Sequence, residues 1–373
     1  VREVGKWKKW KGERSMSRSP LAPITPLAVL ATVLTLTLTV AFSTSAGTPT
    51  TPSRLVRRIA SALSLSSSLS GSNSNNDGLD SSPNPWRAVD VSDVHSPALS
   101  SLSPSTVRPW SNDAYLESCN LYDALTTSSD EFIKPLIVSA LSALDQCYRL
   151  YGPDLTLSSY NGGKDACVIM SLHRAAHANY FRKLQQAGAG NPNTIPTAPR
   201  VCFFDNPDEF DEITALLKQT VSEFDLDMMC LTNCDFAMGL QALIEAGAPE
   251  GGKNNMAFIL GTRVGDPNCK DQKVFEPSSD WMPPFMRVNP VLDWTYGHIW
   301  HFLRLFDLPY CPLYDAGFTS LGSKHDTYPC PALKKQNAEG YWPAYMLTDW
   351  SRERDGRVKK SKSSGTAPAP PPS

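Results

Sequence analysis

Short apolar runs alternate with helically spaced apolar residues across the central part of the chain. Four runs have strand character: LTLSSY (155–160), RVCFFD (200–205), LDMMCLT (226–232) and NMAFILGT (255–262). Helical spacing marks the segments 130–152, 164–186, 207–224 and 236–247, the last of which ends at Gly247. This alternation predicts an α/β fold in which a mostly parallel sheet has helices on both faces.

Polar residues collect where the predicted strands end, at 160–165, 205–206 and 261–267. In parallel α/β sheets, ligands bind beyond the carboxyl ends of the strands. The sequence therefore predicts a ligand site at this edge of the sheet, built from segments that are far apart in the chain.

The turn SYNGGKDA (159–166) joins the first predicted strand to a helix. Its two glycines permit positive φ and close approach of a ligand, and the N–H groups at the helix start favour an anion. Ser159, Asn161 and Lys164 can add donors. The turn is not GxxxxGK[ST], so it is not a P-loop. A phosphate cradle and an ordinary tight turn both remain open on these residues alone.

The amino-acid composition excludes some classes of function. The chain has 373 residues, a formal net charge of -2 and 41% hydrophobic residues, which is typical of a globular protein and argues against nucleic acid as a partner. Nine cysteines, with no CxxC pair, are predicted to be mostly buried, reduced thiols. His173 and His177 lie four residues apart but lack the glutamate of HExxH, so no metal site is expected there.

The ends of the chain differ from its centre. Residues 1–110 are predicted to be a disordered, low-complexity extension, because Ser, Thr and Pro dominate it. Within it, a 16-residue apolar run (27–42) follows a basic stretch. This run is interpreted either as a targeting segment or as part of a loosely ordered extension that directs the protein to no compartment. Alternatively, translation starts at Met16, and residues 1–15 are upstream sequence. Residues 111–357 are the expected catalytic domain, and 358–373 a flexible tail.

Four segments together resemble one family. SYNGGKDA resembles the SGGxDS-type pyrophosphate loop of ATP pyrophosphatases, and FILGTRVGDP (258–267) resembles a GTRxxDP segment. FMRVNPVLDWTYGHIWHFLRLFDLPYCPLYDAGFTSLGS (285–323) and RERDGR (352–357) complete the pattern in order. The chain thus resembles eukaryotic-type FAD synthases, the FMN adenylyltransferases of the PAPS-reductase-like group. This resemblance implies a Rossmann-like, adenine nucleotide alpha hydrolase-like sheet and an activity that moves AMP from ATP to FMN with Mg²⁺.

The resemblance also implies roles for particular residues. The expected catalytic residues are Asn161, Asp165 and Asp266, with Asp266 as the metal ligand. The expected ATP-binding residues are Ser159, Tyr160, Gly162, Gly163, Lys164, Asp205, Gly261 and Arg263. The expected flavin-binding residues are Asp280, Arg287, Asn289, Asp293, Arg354 and Arg357. Simpler explanations stay open for some of these residues. Asp165 would then be a helix-capping acid, Asp266 would form an Asp-Pro turn, and the arginines would make surface ion pairs.

Three rival functions are considered. A PAPS or APS reductase uses a redox cysteine near its C-terminus, and Cys330 is the last cysteine of this sequence. A non-catalytic nucleotide-binding module would have no need of Asn161, Asp165 and Asp266. An ATP pyrophosphatase acting on tRNA or an amide would need a tRNA- or ammonia-handling module, and the core has no basic stretch typical of nucleic-acid binding. The favoured expectation is a cytoplasmic monomer with ATP and FMN as partners and a core outside the membrane; organelle targeting or membrane tethering through 27–42 is the alternative.

Overall fold

The computed structural model describes residues 86–93, 96–188, 195–247, 256–267, 269 and 271–358. Within these residues, seven strands form one sheet, in the spatial order 86–90 (β1), 227–232 (β4), 200–204 (β3), 156–159 (β2), 257–259 (β5), 286–288 (β7) and 275–277 (β6). Every neighbouring pair is parallel except β6 and β7, which are antiparallel at the edge. The predicted α/β fold with a mostly parallel sheet is confirmed.

The strands are short. Their bounds are β1 Trp86–Asp90, β2 Thr156–Ser159, β3 Arg200–Phe204, β4 Asp227–Thr232, β5 Ala257–Ile259, β6 Phe275–Pro277 and β7 Met286–Val288. All four strands expected from sequence occur, each within one or a few residues of its predicted limits.

Six α-helices accompany them in the described part of the chain. Their bounds are α1 Asn112–Thr127, α2 Lys134–Tyr151, α3 Lys164–Gln186, α4 Asp211–Glu223, α5 Phe236–Gly247 and α6 Tyr296–Leu305. Helix α4 begins four residues later than its predicted start at Pro207. The reason is local: Asn206 folds the intervening residues into a turn, its side chain accepting from the Asp208 N–H at 3.1 Å.

The sheet divides the interior into two apolar layers. Successive residues of β3 point to opposite sides, with Val201 and Phe203 in the larger layer and Cys202 in the smaller one. Helices α2, α3, α4 and α6 supply the larger layer, and α5 supplies the smaller. Helices therefore cover both faces of the sheet. A ligand site is expected at the ends of the strands, which the helices do not cover.

The domain boundary predicted near residue 110 is wrong. Strand β1, residues 86–90, pairs in parallel with β4 along its whole length. The Arg87 guanidinium binds both oxygens of the buried Asp227 carboxylate, at 2.7 and 2.6 Å, and Trp86 packs on Phe203. A short strand in a Ser/Pro-rich segment is hard to predict from its own residues, because its stability comes from pairing with this distant strand.

The prediction of mostly buried thiols is confirmed, and the two paired histidines are hydrogen-bonded inside the core. All nine cysteines are free, and eight of them are buried. His173 shares a hydrogen bond with Ser158, and His177 bonds Tyr148 and the Thr197 carbonyl inside the core. The apolar run 27–42 lies outside the described residues. Among the helices that are described, none is long and apolar enough to cross a membrane.

Candidate active site

The site lies at the point where the strand order reverses. From β2 the chain proceeds outward to β3 in one direction, whereas β5 lies on the opposite side of β2. The turn after β2 and the loop after β5 therefore face each other. A Cβ on Gly261 would lie 3.1 Å from the Cβ of Asp165 and 3.2 Å from its carbonyl carbon, so glycine permits this close approach.

The turn after β2 is fixed by its own side chains and by a distant tyrosine. Gly162 has φ of 70°, and a Cβ there would lie 3.1 Å from Ile213 on α4. Asn161 Oδ1 accepts from the Gly163 N–H at 3.2 Å, and Tyr314 OH accepts from the Lys164 N–H at 2.8 Å. Two backbone donors expected to face an anion are thus already engaged in shaping the turn.

Four charged side chains form what we call the ion cluster: Lys164, Asp165, Arg263 and Glu353. Lys164 Nζ lies 3.0 Å from Asp165 Oδ2 and 2.5 Å from Glu353 Oε1. Arg263 Nε lies 2.7 Å from Asp165 Oδ1, and its Nη2 lies 2.6 Å from Glu353 Oε1. Each carboxylate thus binds both cations, and the four side chains close a ring.

Burial strengthens the electrostatic interactions within the ion cluster. The side chains of Lys164 and Arg263 are only 3% and 6% exposed. Burial alone would raise the pKa of Asp165, yet the charges of Lys164 and Arg263 lower it below its usual value. Burial would lower the pKa of Arg263, but Asp165 and Glu353 raise it well above its usual range. Asp165 and Arg263 are therefore both charged near neutral pH.

Asp266 lies beside this cluster and is more open to solvent. Its Oδ2 accepts from the Arg263 N–H at 2.8 Å, which forms the turn before Pro267. Its Oδ1 is 4.0 Å from Arg263 Nη2, and the side chain is 31% exposed. The turn-forming interpretation is thus correct for one oxygen, while the carboxylate still faces the cavity.

A cavity of about 1400 Å³ opens from the cluster along the sheet edge. Pockets for single small ligands are typically about 300–1,000 Å³, so this volume accommodates two substrates of nucleotide size. Of the predicted site residues, those that line it are Ser159, Asn161, Gly163, Lys164, Asp165, Gly261, Arg263, Asp266, Asp280, Arg287 and Arg354.

The far wall of the cavity consists of residues 276–281 and Arg287. Arg287 donates to the Pro277 carbonyl at 2.8 Å and to Ser279 at 3.1 Å, so it fixes this wall. Trp281 is 77% exposed, which is rare for so large an apolar ring. The wall thus offers a flat aromatic surface at the cavity mouth.

Three predicted residues belong to the scaffold and not to the lining. Tyr160 is fully buried and its hydroxyl bonds Thr220 at 2.9 Å. Gly162 packs against Ile213. Asn289 is also fully buried, and its amide donates to Gln272 and to the Lys273 carbonyl, which fixes the loop before β6. The neighbours of Tyr160 and Gly162 in the sequence line the cavity, whereas the side chains of Tyr160 and Asn289 are buried in the protein.

Three more lie away from the cavity. Asp205 is exposed at the end of β3, and Asp293 is exposed before α6. Arg357 donates to the Leu321 carbonyl at 2.8 Å and pairs with Asp326 at 3.4 Å, so its guanidinium fixes a loop. The structure places these three side chains away from the cavity, so it gives no support to their predicted contacts with nucleotide or flavin, which stay untested.

Two residues of the site, Glu353 and Tyr314, were not among those expected from the sequence. Glu353 belongs to RERDGR, in which the arginines were the expected site residues. An acid directly between two arginines is a usable signal, because an arginine-rich anion site has little other use for a carboxylate. Tyr314 contacts the turn from 150 residues further along the chain, and the sequence around it contains no local pattern that predicts this contact.

Comparison with known proteins shows which proteins this chain is similar to. A phosphoadenosine phosphosulfate reductase domain matches residues 156–329. A probable FAD synthase of Schizosaccharomyces pombe is 34% identical over 219 residues, covering 58% of this chain and 77% of that protein. A probable FAD synthase of Caenorhabditis elegans is 32% identical over 232 residues, covering 61% of this chain but 41% of the longer relative.

The fold also matches a solved structure. Candida glabrata FMN adenylyltransferase, in complex with FAD and inorganic pyrophosphate, superposes with a TM-score of 0.58. The match covers 66% of this chain and 98% of that one at 22% identity. Fold and site thus define a nucleotide-binding α/β protein of the PAPS-reductase-like class. Within that class, the chain belongs to the FAD synthase family.

Proposed function

We propose that this protein transfers AMP from ATP to FMN, giving FAD and pyrophosphate. The observation that carries the proposal is the buried Lys164–Arg263 pair at one end of a cavity large enough for both substrates. Family membership and the fold support it independently.

Transfer of AMP to FMN requires that the two substrates are positioned and that their negative charges are neutralised. A phosphate oxygen of FMN attacks the α-phosphorus of ATP, a new P–O bond forms, and the bond to the oxygen bridging the α and β phosphates breaks. Both reactants are anions, so fixed cations near the triphosphate lower the barrier without supplying a nucleophile. The amide of Asn161 and the ammonium of Lys164 are suited to the β and γ phosphates, and Arg263 to charge that develops on the leaving pyrophosphate.

Mg²⁺ fits the residues present. Within the described part of the chain, no group of three or more His, Cys, Asp or Glu side chains could hold a metal by itself. Mg²⁺ commonly binds one or two carboxylates together with substrate phosphates, so no such cage is required. Asp266 would hold the ion, because its carboxylate is the more exposed, whereas Asp165 is bound to two cations. The metal would supply further charge neutralisation at the phosphates.

The opposite end of the cavity suits the flavin. Trp281 offers a face for the isoalloxazine ring, and Asp280 beside it can accept from the ring's polar edge. Arg354 is an exposed residue of the cavity lining, and a guanidinium there can bind the FMN phosphate through two parallel hydrogen bonds.

Sulfate reduction fits the described cysteines less well. Of these, only Cys269 lines the cavity. It is 1% exposed, and burial raises its pKa, so it is a poor thiolate nucleophile. Cys330 is fully buried behind the closing turn.

Separation of flavins after incubation tests the proposal. The purified chain, given FMN, ATP and Mg²⁺, is expected to produce FAD and one pyrophosphate per FAD. Absence of FAD, together with sulfite formation from PAPS and thioredoxin, would replace the proposal with the reductase. A monomeric state and a cytoplasmic location stay predictions, to be checked by light scattering and by imaging of the tagged full chain.

A further inference from the structure

Glu353 lies at the centre of the ion cluster but comes from the far end of the folded chain. One of its oxygens, Oε1, contacts Lys164 at the start of α3 and Arg263 in the loop after β5. The side chain is 15% exposed. A single carboxylate oxygen therefore links cations from the two loops that form the nucleotide end of the cavity.

The backbone around Glu353 is fixed from two sides. The Thr319 hydroxyl donates to the Glu353 carbonyl at 2.7 Å. On the outer side, Trp350 packs so closely on α6 that a Cβ at Gly297 would lie 2.2 Å from its ring. Asp349 caps the short 3-10 turn 350–352 by accepting from the Ser351 N–H. The carboxylate thus has a set position relative to the sheet.

Charge balance does not explain the presence of this acid. Lys164 and Arg263 already have Asp165 between them and Asp266 beside them, so two cations face two other carboxylates. When Asp266 is counted with the ion cluster, three carboxylates face two cations, and this negative balance opposes the binding of a polyanion. Since Glu353 disfavours ATP in the ground state, its benefit must come from elsewhere.

We propose that Glu353 is a positioning residue, which rests on the proposed function. It orients the Lys164 ammonium and the Arg263 guanidinium before ATP binds, so that neither long side chain must be ordered during the reaction. Preoriented charges stabilise a transition state better than mobile ones, because no reorganisation accompanies the step. Glu353 does so without touching the reacting atoms.

This role predicts a separation of kcat from KM. In Glu353→Gln the shape is kept and one negative charge is removed, so KM for ATP stays the same or falls. The kcat drops by on the order of 10- to 100-fold, the loss seen when a residue that orients a ligand group is removed. The matched control is Asp355→Asn, which alters an exposed acid of the same segment that pairs only with Arg352 among the ion pairs of the structure. Its kcat is expected to equal that of the unaltered chain.

A double-variant cycle tests whether Glu353 acts through Arg263. Arg263→Gln lowers kcat by itself, and adding Glu353→Gln to it is expected to lower kcat much less than Glu353→Gln does alone. Independent, multiplicative losses would contradict the proposal. So would a Glu353→Gln variant with unchanged kcat, or one in which only KM for ATP rises.

A second variant guards against a folding defect. Glu353→Asp retains the charge but is one methylene shorter, so it cannot keep both contacts, and kcat is expected to fall here too. Thermal unfolding followed by circular dichroism identifies a misfolded variant, and unaltered kcat in a folded Glu353→Asp would overturn the proposal. If the unaltered chain forms no FAD, the proposed function fails, which is a different result from a failure of Glu353 alone.

Discussion

The two ends of the cavity are built differently. At the nucleotide end, Lys164, Asp165, Arg263 and Glu353 bind one another and none is more than 24% exposed. At the flavin end, Asp280 and Trp281 are exposed. We infer that ATP binds to side chains that already bind one another, whereas FMN binds to side chains that are open to solvent. Substitutions at the two ends should therefore have different effects.

The largest effect is expected at the nucleotide end. Asp266→Ala removes the carboxylate best placed for Mg²⁺ and the bond that shapes the turn before Pro267. We expect kcat to fall by on the order of 10²- to 10³-fold, as for loss of a group that stabilises transition-state charge. Steady-state FAD formation measures it.

Asp293→Ala is the control for that experiment, since Asp293 is exposed and does not line the cavity. Unchanged activity is expected there. Wild-type activity in Asp266→Ala, or an equal loss in both variants, would remove the role given to Asp266.

A smaller effect is expected where the two loops meet. Gly261→Ala places a Cβ 3.2 Å from a backbone carbon of Asp165, which cannot move aside as a flexible side chain can. Such overpacking destabilises by about 1–3 kcal/mol. Denaturant unfolding measures the loss, and a free energy of unfolding equal to that of the unaltered chain would show that the contact is looser than described.

The flavin end should respond more weakly and more selectively. Trp281→Ala removes an exposed ring whose stacking on another aromatic group contributes roughly 0.5–1.5 kcal/mol. KM for FMN should therefore rise by about 2- to 10-fold, because each 1.4 kcal/mol is tenfold. KM for ATP should stay unchanged in the same assay. A rise in KM for ATP instead would place the nucleotide, not the flavin, against this wall.

The smallest effect concerns acid stability. The charges of Lys164 and Arg263 hold the pKa of Asp165 below its usual value, so the folded state binds this proton less readily than the unfolded one. The resulting stabilisation is complete above the usual pKa of an aspartate and is lost as pH falls through the folded-state pKa. In Asp165→Asn, the melting temperature should thus decline less steeply between about pH 5 and pH 2. An equal decline in both proteins would show that Asp165 is not so perturbed.

The sequence predicts the nucleotide end better than the flavin end for a physical reason. The turn after β2 is local, so its glycines and the following helix start are visible in eight consecutive residues. The loop after β5 is equally compact, and parallel strand ends must lie at one edge of the sheet. Lys164, Asp165, Arg263 and Asp266 could therefore be grouped without coordinates.

What escaped prediction depends on distant contacts. Whether Asn289 faces a cavity or the interior depends on the loop that its amide binds, at residues 272 and 273. Arg357 differs from Arg354 only in direction, and this direction is set by the Leu321 carbonyl and Asp326. Strand β1 is likewise defined by its pairing with β4, over 130 residues away. No local pattern encodes such choices.

The position of isotopic label after one turnover tests the central claim most directly. With FMN and Mg²⁺ present, label on the α-phosphate of ATP should appear in FAD, and label on the γ-phosphate should appear in pyrophosphate. The same products should be absent when FMN is omitted. Label from the α-phosphate that stays in free AMP, or γ-label released as orthophosphate, would contradict transfer of AMP to FMN.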